Sequence, residues 1–154
     1  MEMYLLALMM GVLAGLRAMA APAAVSWAAH LGWLDLHGSW LAFLGNAFTP
    51  WILTALAVVE LVTDQLPSTK SRKAPEQFAA RVASGGLCGA AIGVGAGSWA
   101  VGLVAGGVGA VIGTLGGYEV RHRLATAFHR DRPAALLEDA VAVGGVLVAA
   151  ASLR

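Results

Sequence analysis

The apolar residues of this chain occur in long runs, interrupted by a few charged positions and by short polar segments. A helix that crosses the hydrocarbon core of a bilayer needs about 20 residues. The runs predict five such spans, at residues 3–29, 50–66, 77–97, 99–118 and 136–153. Residues 31–48 are too polar and too often broken by glycine to span. We expect a short interfacial helix in that segment.

The fold class that follows is all-α, a polytopic membrane bundle of about five short transmembrane helices in a single domain, residues 1–154. The composition agrees with this class, because 58% of the residues are hydrophobic and only 12% are charged. Soluble domains carry about 25% charged residues. A soluble enzyme core and a nucleic-acid module are therefore not expected, and the lipid bilayer is the first predicted partner.

Glycine recurs at intervals of about four residues through the third and fourth spans. Small residues at this interval let two helix backbones approach closely inside a bilayer. The pattern predicts glycine-zipper packing, and such surfaces also suit a homo-oligomer or another membrane-protein partner. The predicted packing residues are Gly85, Gly89, Gly93, Gly97, Gly102, Gly106, Gly109, Gly113 and Gly117.

Basic residues follow the second and the fourth span, and they set the expected orientation. They are Lys70, Arg72, Lys73, Arg121, Arg123, Arg130 and Arg132. The positive-inside rule assigns both segments to the cytoplasm. With five spans the N-terminus is then inside and the C-terminus outside, and the five tryptophans fall on the outer face as an aromatic belt.

A weak internal repeat is also present. Glu60 precedes Gly85–Gly86 by the same interval that separates Glu119 from Gly144–Gly145. The two units would be parallel repeats related by an axis along the membrane normal. Coincidence among helices made of alanine, glycine and valine is the alternative.

Arg17 is the outstanding candidate for chemistry, because it lies near the middle of the first span. An arginine at the centre of a span costs about 2.5–3.5 kcal/mol on insertion scales, so it should face the protein interior and hold a carboxylate. Glu60 and Asp64 are the best partners, since they lie one helical turn apart. The predicted intramembrane cluster is either a structural clamp or the floor of a substrate or ion site.

A cytoplasmic mouth is predicted beside this cluster, and headgroup-level anchoring with loop pairing is the alternative role for Arg81, Glu119, Glu138 and Asp139. The predicted mouth residues are Ser71, Arg72, Arg81, Glu119, Arg121, Glu138 and Asp139. The hydroxyl-rich basic loop around Ser71 suits a small anion or phosphorylated ligand, or else anionic lipid. His122 and His129 lack a third ligand at useful spacing, so neither a metal nor a cofactor is expected.

Several polar motifs resemble those of a bacterial family of small integral membrane proteins, the domain of unknown function 4126. They are Gly15-Leu16-Arg17-Ala18 with Pro22, Val59 to Pro67, Ser71-Arg72 with Pro75, Gly116-Gly117-Tyr118 with Arg121, and Leu137-Glu138-Asp139-Ala140. Gln65 and Lys70 depart from the lysine and proline usual there. The resemblance implies the architecture, a bacterial inner-membrane location and a shortlist of polar residues, but no reaction.

The leading functional hypothesis is a transporter or channel-like protein with a polar cavity open to the cytoplasm. The alternative is a non-catalytic scaffold or accessory subunit that uses its glycine-rich helix surfaces. An enzyme acting on a lipid phosphate through Asp64, Ser71 and Arg72 is a third and weaker hypothesis, because no nucleophile–base pair is evident. We therefore do not expect an enzyme.

Overall fold

The structure, a computed structural model, describes residues 1–64, 74–129 and 131–154. In this part of the chain all regular secondary structure is helical. The α-helices are α1 (Glu2–Leu16), α2 (Ala20–His30), α3 (Thr49–Thr63), α4 (Pro75–Gly95), α5 (Trp99–Phe128) and α6 (Asp131–Ala151), with one 3-10 turn at Ala42–Gly45. Three of them contain segments long and apolar enough to cross a membrane: Pro75–Gly95, Trp99–Ala127 and Pro133–Ala151.

The last four predicted spans correspond to α3 through α6. The fourth is longer than predicted, because α5 continues through polar residues until His129, where a positive φ of 54° ends it. Where an interfacial helix is expected, at residues 31–48, the structure has a single 3-10 turn at Ala42–Gly45. Leu34, Leu36 and Leu41 from this segment are buried in the hydrophobic core.

The first predicted span, residues 3–29, is wrong as a continuous helix. Arg17 has φ −139° and ψ 112°, an extended conformation that ends α1, and a new helix begins at Ala20. Pro22 lies in the first turn of α2, where a missing N–H is tolerated. A charged residue followed by this proline divides the apolar run into two short helices.

The two short helices form a hairpin whose arms run in opposite directions. The Tyr4 hydroxyl donates to the carbonyl of Ala96, in the turn between α4 and α5, across 3.2 Å. A Cβ built on Gly95 would lie 3.4 Å from both Met3 and Leu34. The start of α1 and the segment after α2 therefore meet at one end of the bundle, while Arg17 lies at the tip of the hairpin.

This end of the bundle, which we call the aromatic end, also holds the C-terminus. The Arg154 guanidinium lies over the Trp33 ring, 4.7 Å from its centroid. Trp40 and Trp99 form an edge-to-face pair beside it. Both termini therefore lie at this end of the bundle, because the hairpin adds one more reversal of the chain to the five predicted spans. We call the opposite end, where α3 ends and α4 begins, the charged end.

Backbone contacts at glycine hold α1, α4 and α5 together. A Cβ built on Gly106 would lie 2.1 Å from the Gly85 carbonyl oxygen, and one built on Gly89 would lie 2.1 Å from that of Gly102. Gly11 of α1 meets Gly106 in the same way. Only glycine permits these distances, so this face of α5 is used for packing within the chain.

The remaining predicted packing glycines differ in their surroundings. Gly93, Gly109 and Gly113 also make close backbone contacts. Gly97 does not pack between helices: it lies in the turn after α4 with φ +91° and nothing within 4 Å of its built Cβ, and its positive φ favours glycine there. Gly117 is half-buried on α5.

Candidate functional site

The candidate site is the break between α1 and α2, where the backbone leaves helical geometry inside the protein. A helix end leaves amide N–H and carbonyl groups without partners, and such groups are costly away from water. The amides of Ala18 and Met19 both donate to Glu60 of α3, one to each carboxylate oxygen at 2.8 Å. Glu60 thus caps the start of α2, the end of a helix at which a negative charge is favourable.

Side chains of α4 and α5 donate hydrogen bonds to the carbonyl groups at the end of α1. Arg81 of α4 donates through Nη1 to the carbonyls of Gly15, at 2.9 Å, and Leu16. The Thr114 hydroxyl of α5 also donates to the Gly15 carbonyl, at 3.2 Å. A positive charge at a helix C-terminus is favourable. The broken backbone is therefore satisfied by side chains from three other helices.

Arg17 links the tip of the hairpin to α3 and to α6 through two ion pairs. Its Nη1 donates to Asp64, at the end of α3, and its Nη2 to Asp139, in the first half of α6. The Arg17 side chain is fully buried. Its Nε is buried without a hydrogen-bond acceptor in the part of the chain that the structure describes. The planar guanidinium suits this arrangement because it presents separate donors to separate carboxylates.

Arg81 joins the two sets of contacts into one cluster. Its Nη2 lies 3.7 Å from Glu60 Oε1 and 3.7 Å from Asp64 Oδ2. We call Arg17, Arg81, Glu60, Asp64 and Asp139 the charge cluster. With every group ionised, these two guanidinium groups and three carboxylates carry a formal charge of −1.

Exposure divides the charge cluster into an inner and an outer layer. The arginine side chains are 0% and 1% exposed, whereas the exposed fractions are 11% for Asp64, 13% for Glu60 and 15% for Asp139. Among the described residues, the carboxylates therefore form the more accessible edge of the charge cluster, and the guanidinium groups lie beneath them.

The structure brings the predicted Arg17, Glu60 and Asp64 together, although Glu60 binds backbone amides as well as lying near Arg81. Two residues predicted for the mouth, Arg81 and Asp139, belong to the charge cluster itself. Ser84 and Thr114 were not predicted, and Ser84 donates to the carbonyl of Ala18. Each is a hydroxyl residue in an otherwise apolar, glycine-rich stretch, and that contrast is the feature of the sequence that could have identified both as polar contacts of the site.

Three other predicted mouth residues form separate contacts. Arg121 Nη1 lies 3.8 Å from Glu138 Oε2, which links α5 to α6. Glu119 is exposed and accepts from Arg123 Nε at 2.8 Å within α5. Ser71 and Arg72 lie outside the described residues, as does the rest of the predicted anion-binding loop, residues 67–73.

The proposed repeat relates positions that differ in the structure. Glu60 belongs to the charge cluster, whereas its counterpart Glu119 is 54% exposed on α5. Gly85 packs against α5, and the built Cβ of Gly144 has nothing within 4 Å. The counterparts therefore do not share a structural role.

The family model for "Domain of unknown function (DUF4126)" matches residues 4–152. The chain belongs to this family. The match confirms the resemblance drawn from the polar motifs, and it spans all six helices of the DUF4126 fold seen here, including the hairpin and the charge cluster. No curated protein and no solved structure matches the chain.

A second polar site of this DUF4126 protein lies at the aromatic end. It is a pocket of about 490 Å³ that includes His30, Asp35 and His37 in its lining. The His30 ring nitrogen Nδ1 lies 3.2 Å from the carbonyl oxygen of Gly45. Among the described residues, no group of three or more histidine, cysteine, aspartate or glutamate side chains is placed to hold a metal ion.

Proposed function

We propose that this protein is a small transporter-like protein of the bacterial inner membrane and that the charge cluster at the hairpin tip is its working site. The observation that carries the proposal is the helix break. Non-helical backbone at membrane depth is tolerated only where protein or a water-filled cavity surrounds it, and discontinuous helices of this kind form the binding sites of many transporters.

The position of the break supports an intramembrane site. Thr114, which bonds the end of α1, lies 15 residues after Trp99. At 1.5 Å per residue this places the tip about 22 Å from the aromatic end, within a hydrocarbon core about 30 Å thick. Ionisable groups at such a depth are functional candidates because their burial is costly.

The positive-inside rule gives the orientation that we propose. Arg121 and Arg123 lie toward the charged end, so this end faces the cytoplasm. Both termini and the tryptophans then face outward. The accessible edge of Asp64, Glu60 and Asp139 would open toward the cytoplasm, as expected for a site loaded from that side.

The second candidate function is a non-catalytic scaffold or accessory subunit, and one observation favours it. Arg17 is fully buried and both of its terminal nitrogens are bonded to carboxylates, as in a structural clamp. The close glycine contacts of α5 are made within the chain. A partner or a second copy would therefore bind through other surfaces, such as the outward face of α3 with Ile52 and Val59.

Water accessibility at the hairpin tip separates the two candidates. Cys88 is the sole cysteine, so a Cys88→Ala background permits single-cysteine labelling. Met19 is half-buried in the break, and Ile112 lies on the outward face of α5 two residues from Thr114. We expect a membrane-impermeant cationic thiol reagent, added from the charged side, to label Met19→Cys but not Ile112→Cys, which faces lipid.

An unreactive Met19→Cys would overturn the transporter proposal if Ala96→Cys, in the turn at the aromatic end, is labelled from the opposite side in the same membranes. Stable co-purification with a larger membrane complex would then support the scaffold. If Ile112→Cys is labelled as fast as Met19→Cys, the reagent does not distinguish the hairpin tip from a lipid-facing position. The measured quantity is therefore the ratio of the two labelling rates.

A further inference from the structure

We propose that the pocket at the aromatic end binds a small organic ammonium ion, a protonated primary amine with a short apolar body. The pocket is formed by the last residues of α2 and by the segment 32–46. It lies at the opposite end of the bundle from the charge cluster, so the proposal goes beyond the proposed function and does not depend on it. Its volume of about 490 Å³ falls within the range of about 300–1,000 Å³ that is typical of ligand sites.

The pocket has a preformed floor. The amides of Trp33 and Leu34 donate to the carbonyl of Ala28, at 2.9 Å and 3.3 Å, which fixes the chain where it leaves α2. Leu34 and Leu36 line the pocket, are only 3% exposed and belong to the hydrophobic core. A ligand therefore meets a surface that the fold already holds in place, and binding requires little ordering of the protein.

Asp35 gives the pocket a negative charge. Its Oδ1 accepts the amide of His37 at 2.9 Å, which orients the carboxylate and leaves Oδ2 for a ligand. The described residues form no ion pair with Asp35, and the lining of the pocket includes no lysine or arginine. A carboxylate without a cationic neighbour attracts a cation, and it binds N–H donors through charge-assisted hydrogen bonds.

His30 provides a second acceptor. Its Nδ1 lies 3.2 Å from the carbonyl oxygen of Gly45, and because a carbonyl only accepts, Nδ1 carries the proton. The neutral ring then has a lone pair at Nε2. An edge-to-face contact with Trp27, at 6.0 Å between ring centroids, holds the imidazole in position. The pocket therefore contains a carboxylate and an imidazole that can both accept from one ligand.

The end of α2 favours the same sign of charge. Ala29 and His30, the last two residues of this 11-residue helix, line the pocket, and no residue of α3 does so. The C-terminal end of a helix carries a partial negative charge that attracts cations. The helix end, the Asp35 carboxylate and the His30 lone pair thus all favour a positively charged ligand with N–H donors.

The lining favours a primary ammonium ion over the other cations. Quaternary ammonium ions are recognised by cages of aromatic rings, whereas the described lining contains no tryptophan, tyrosine or phenylalanine. The described part of the chain also has no group of three or more side chains placed to hold a metal ion. Leu34, Leu36 and Ala42 offer apolar surface, which suits a ligand with a short hydrocarbon body.

Equilibrium dialysis with three ligands of the same chain length tests the proposal. The full-length protein in phosphatidylcholine nanodiscs is dialysed against butylammonium, butyltrimethylammonium or butyrate, with empty nanodiscs as the blank. We expect saturable binding of butylammonium, at least about tenfold tighter than that of the other two, because only this ligand donates N–H bonds to the carboxylate. Absence of saturable butylammonium binding, or equal binding of butylammonium and butyltrimethylammonium, would overturn the proposal. Tighter binding of butyrate would do the same.

Two variants locate the binding in the pocket. Asp35→Asn removes the charge but keeps an oxygen that can accept the His37 amide, and Ala42→Phe fills the pocket. We expect each to weaken butylammonium binding about tenfold or more. Their controls are Glu2→Gln, an exposed carboxylate at the same end, and Ala47→Phe, an exposed position outside the lining; both should bind as the wild type does. Unchanged binding in Asp35→Asn and Ala42→Phe would overturn the proposal. The comparison of the three ligands uses the wild-type protein and therefore stands even if a variant fails to fold.

Discussion

Glu60 and Arg81 hold opposite sides of one helix break, and only 3.7 Å separates Glu60 Oε1 from Arg81 Nη2. Glu60 accepts the amides that begin α2, while Arg81 donates to the carbonyls that end α1. The two caps carry the charges that the two helix ends favour, and they also attract each other. The two helix ends therefore position Glu60 and Arg81 close to each other, and the attraction between these side chains stabilises the break.

Removal of the Glu60 cap should destabilise the protein. We expect Glu60→Ala to lower the free energy of unfolding by about 2 kcal/mol or more, because two backbone amides lose a charged acceptor. Thermal unfolding in a mild detergent measures the effect. Glu119→Ala is the control, since its carboxylate is exposed and surface substitutions change stability by about 0.5 kcal/mol or less. Equal melting temperatures for the two variants would contradict the capping role.

Adjacent glycines on α5 should respond in opposite ways to alanine. Gly106→Ala places a methyl group where the Gly85 carbonyl oxygen is 2.1 Å away, so α4 and α5 must separate. We expect a loss of about 3 kcal/mol or failure to fold. Gly107 has nothing within 4 Å of its built Cβ, and Gly107→Ala should be neutral or stabilising by up to about 1 kcal/mol. Size-exclusion profiles and melting temperatures test both, and similar losses in the two variants would contradict the contact.

The hydropathy pattern predicts α3 to α6 well because each is a single apolar run of nearly spanning length. It fails at the first run for a physical reason. One long helix and two antiparallel short helices present the same apolar composition, and only Arg17 and Pro22 distinguish them. Both residues interrupt the apolar run in the sequence, yet neither shows by itself that the chain reverses.

The charge cluster was partly predictable for a related reason. Glu60 and Asp64 lie one turn apart on α3, so their shared face follows from helical periodicity. The participation of Asp139 depends on how α6 is positioned against α1, and no local pattern encodes that position. The backbone acceptors of Gly15 and Leu16 become available only because the helix breaks. A continuous first helix would hide them.

The coupling between Arg17 and Asp139 should be large. Arg17→Gln removes the buried cation that contacts both Asp64 and Asp139, and we expect a loss of about 3–5 kcal/mol. The double variant with Asp139→Asn should lose less than the sum of the single variants, with a coupling energy above about 1 kcal/mol. The exposed pair Arg123–Glu119 is the matched control, for which about 0.3–0.5 kcal/mol is expected. Chemical unfolding of the four proteins in each cycle measures both couplings, and additive losses at Arg17 and Asp139 would contradict the bridge.

Single-cysteine labelling of the termini tests the hairpin itself. In the Cys88→Ala background we expect Glu2→Cys and Arg154→Cys to react with an impermeant reagent from the same side of the membrane, because both lie at the aromatic end. Arg123→Cys, toward the charged end, is the control and should react only from the opposite side. Intact spheroplasts and inside-out vesicles supply the two sides. Reaction of the termini from opposite sides would mean that residues 3–29 cross the bilayer once, and the hairpin would then be wrong. Reaction of both termini in spheroplasts would in addition support the proposed outward orientation, since the positive-inside rule assigns the charged end to the cytoplasm.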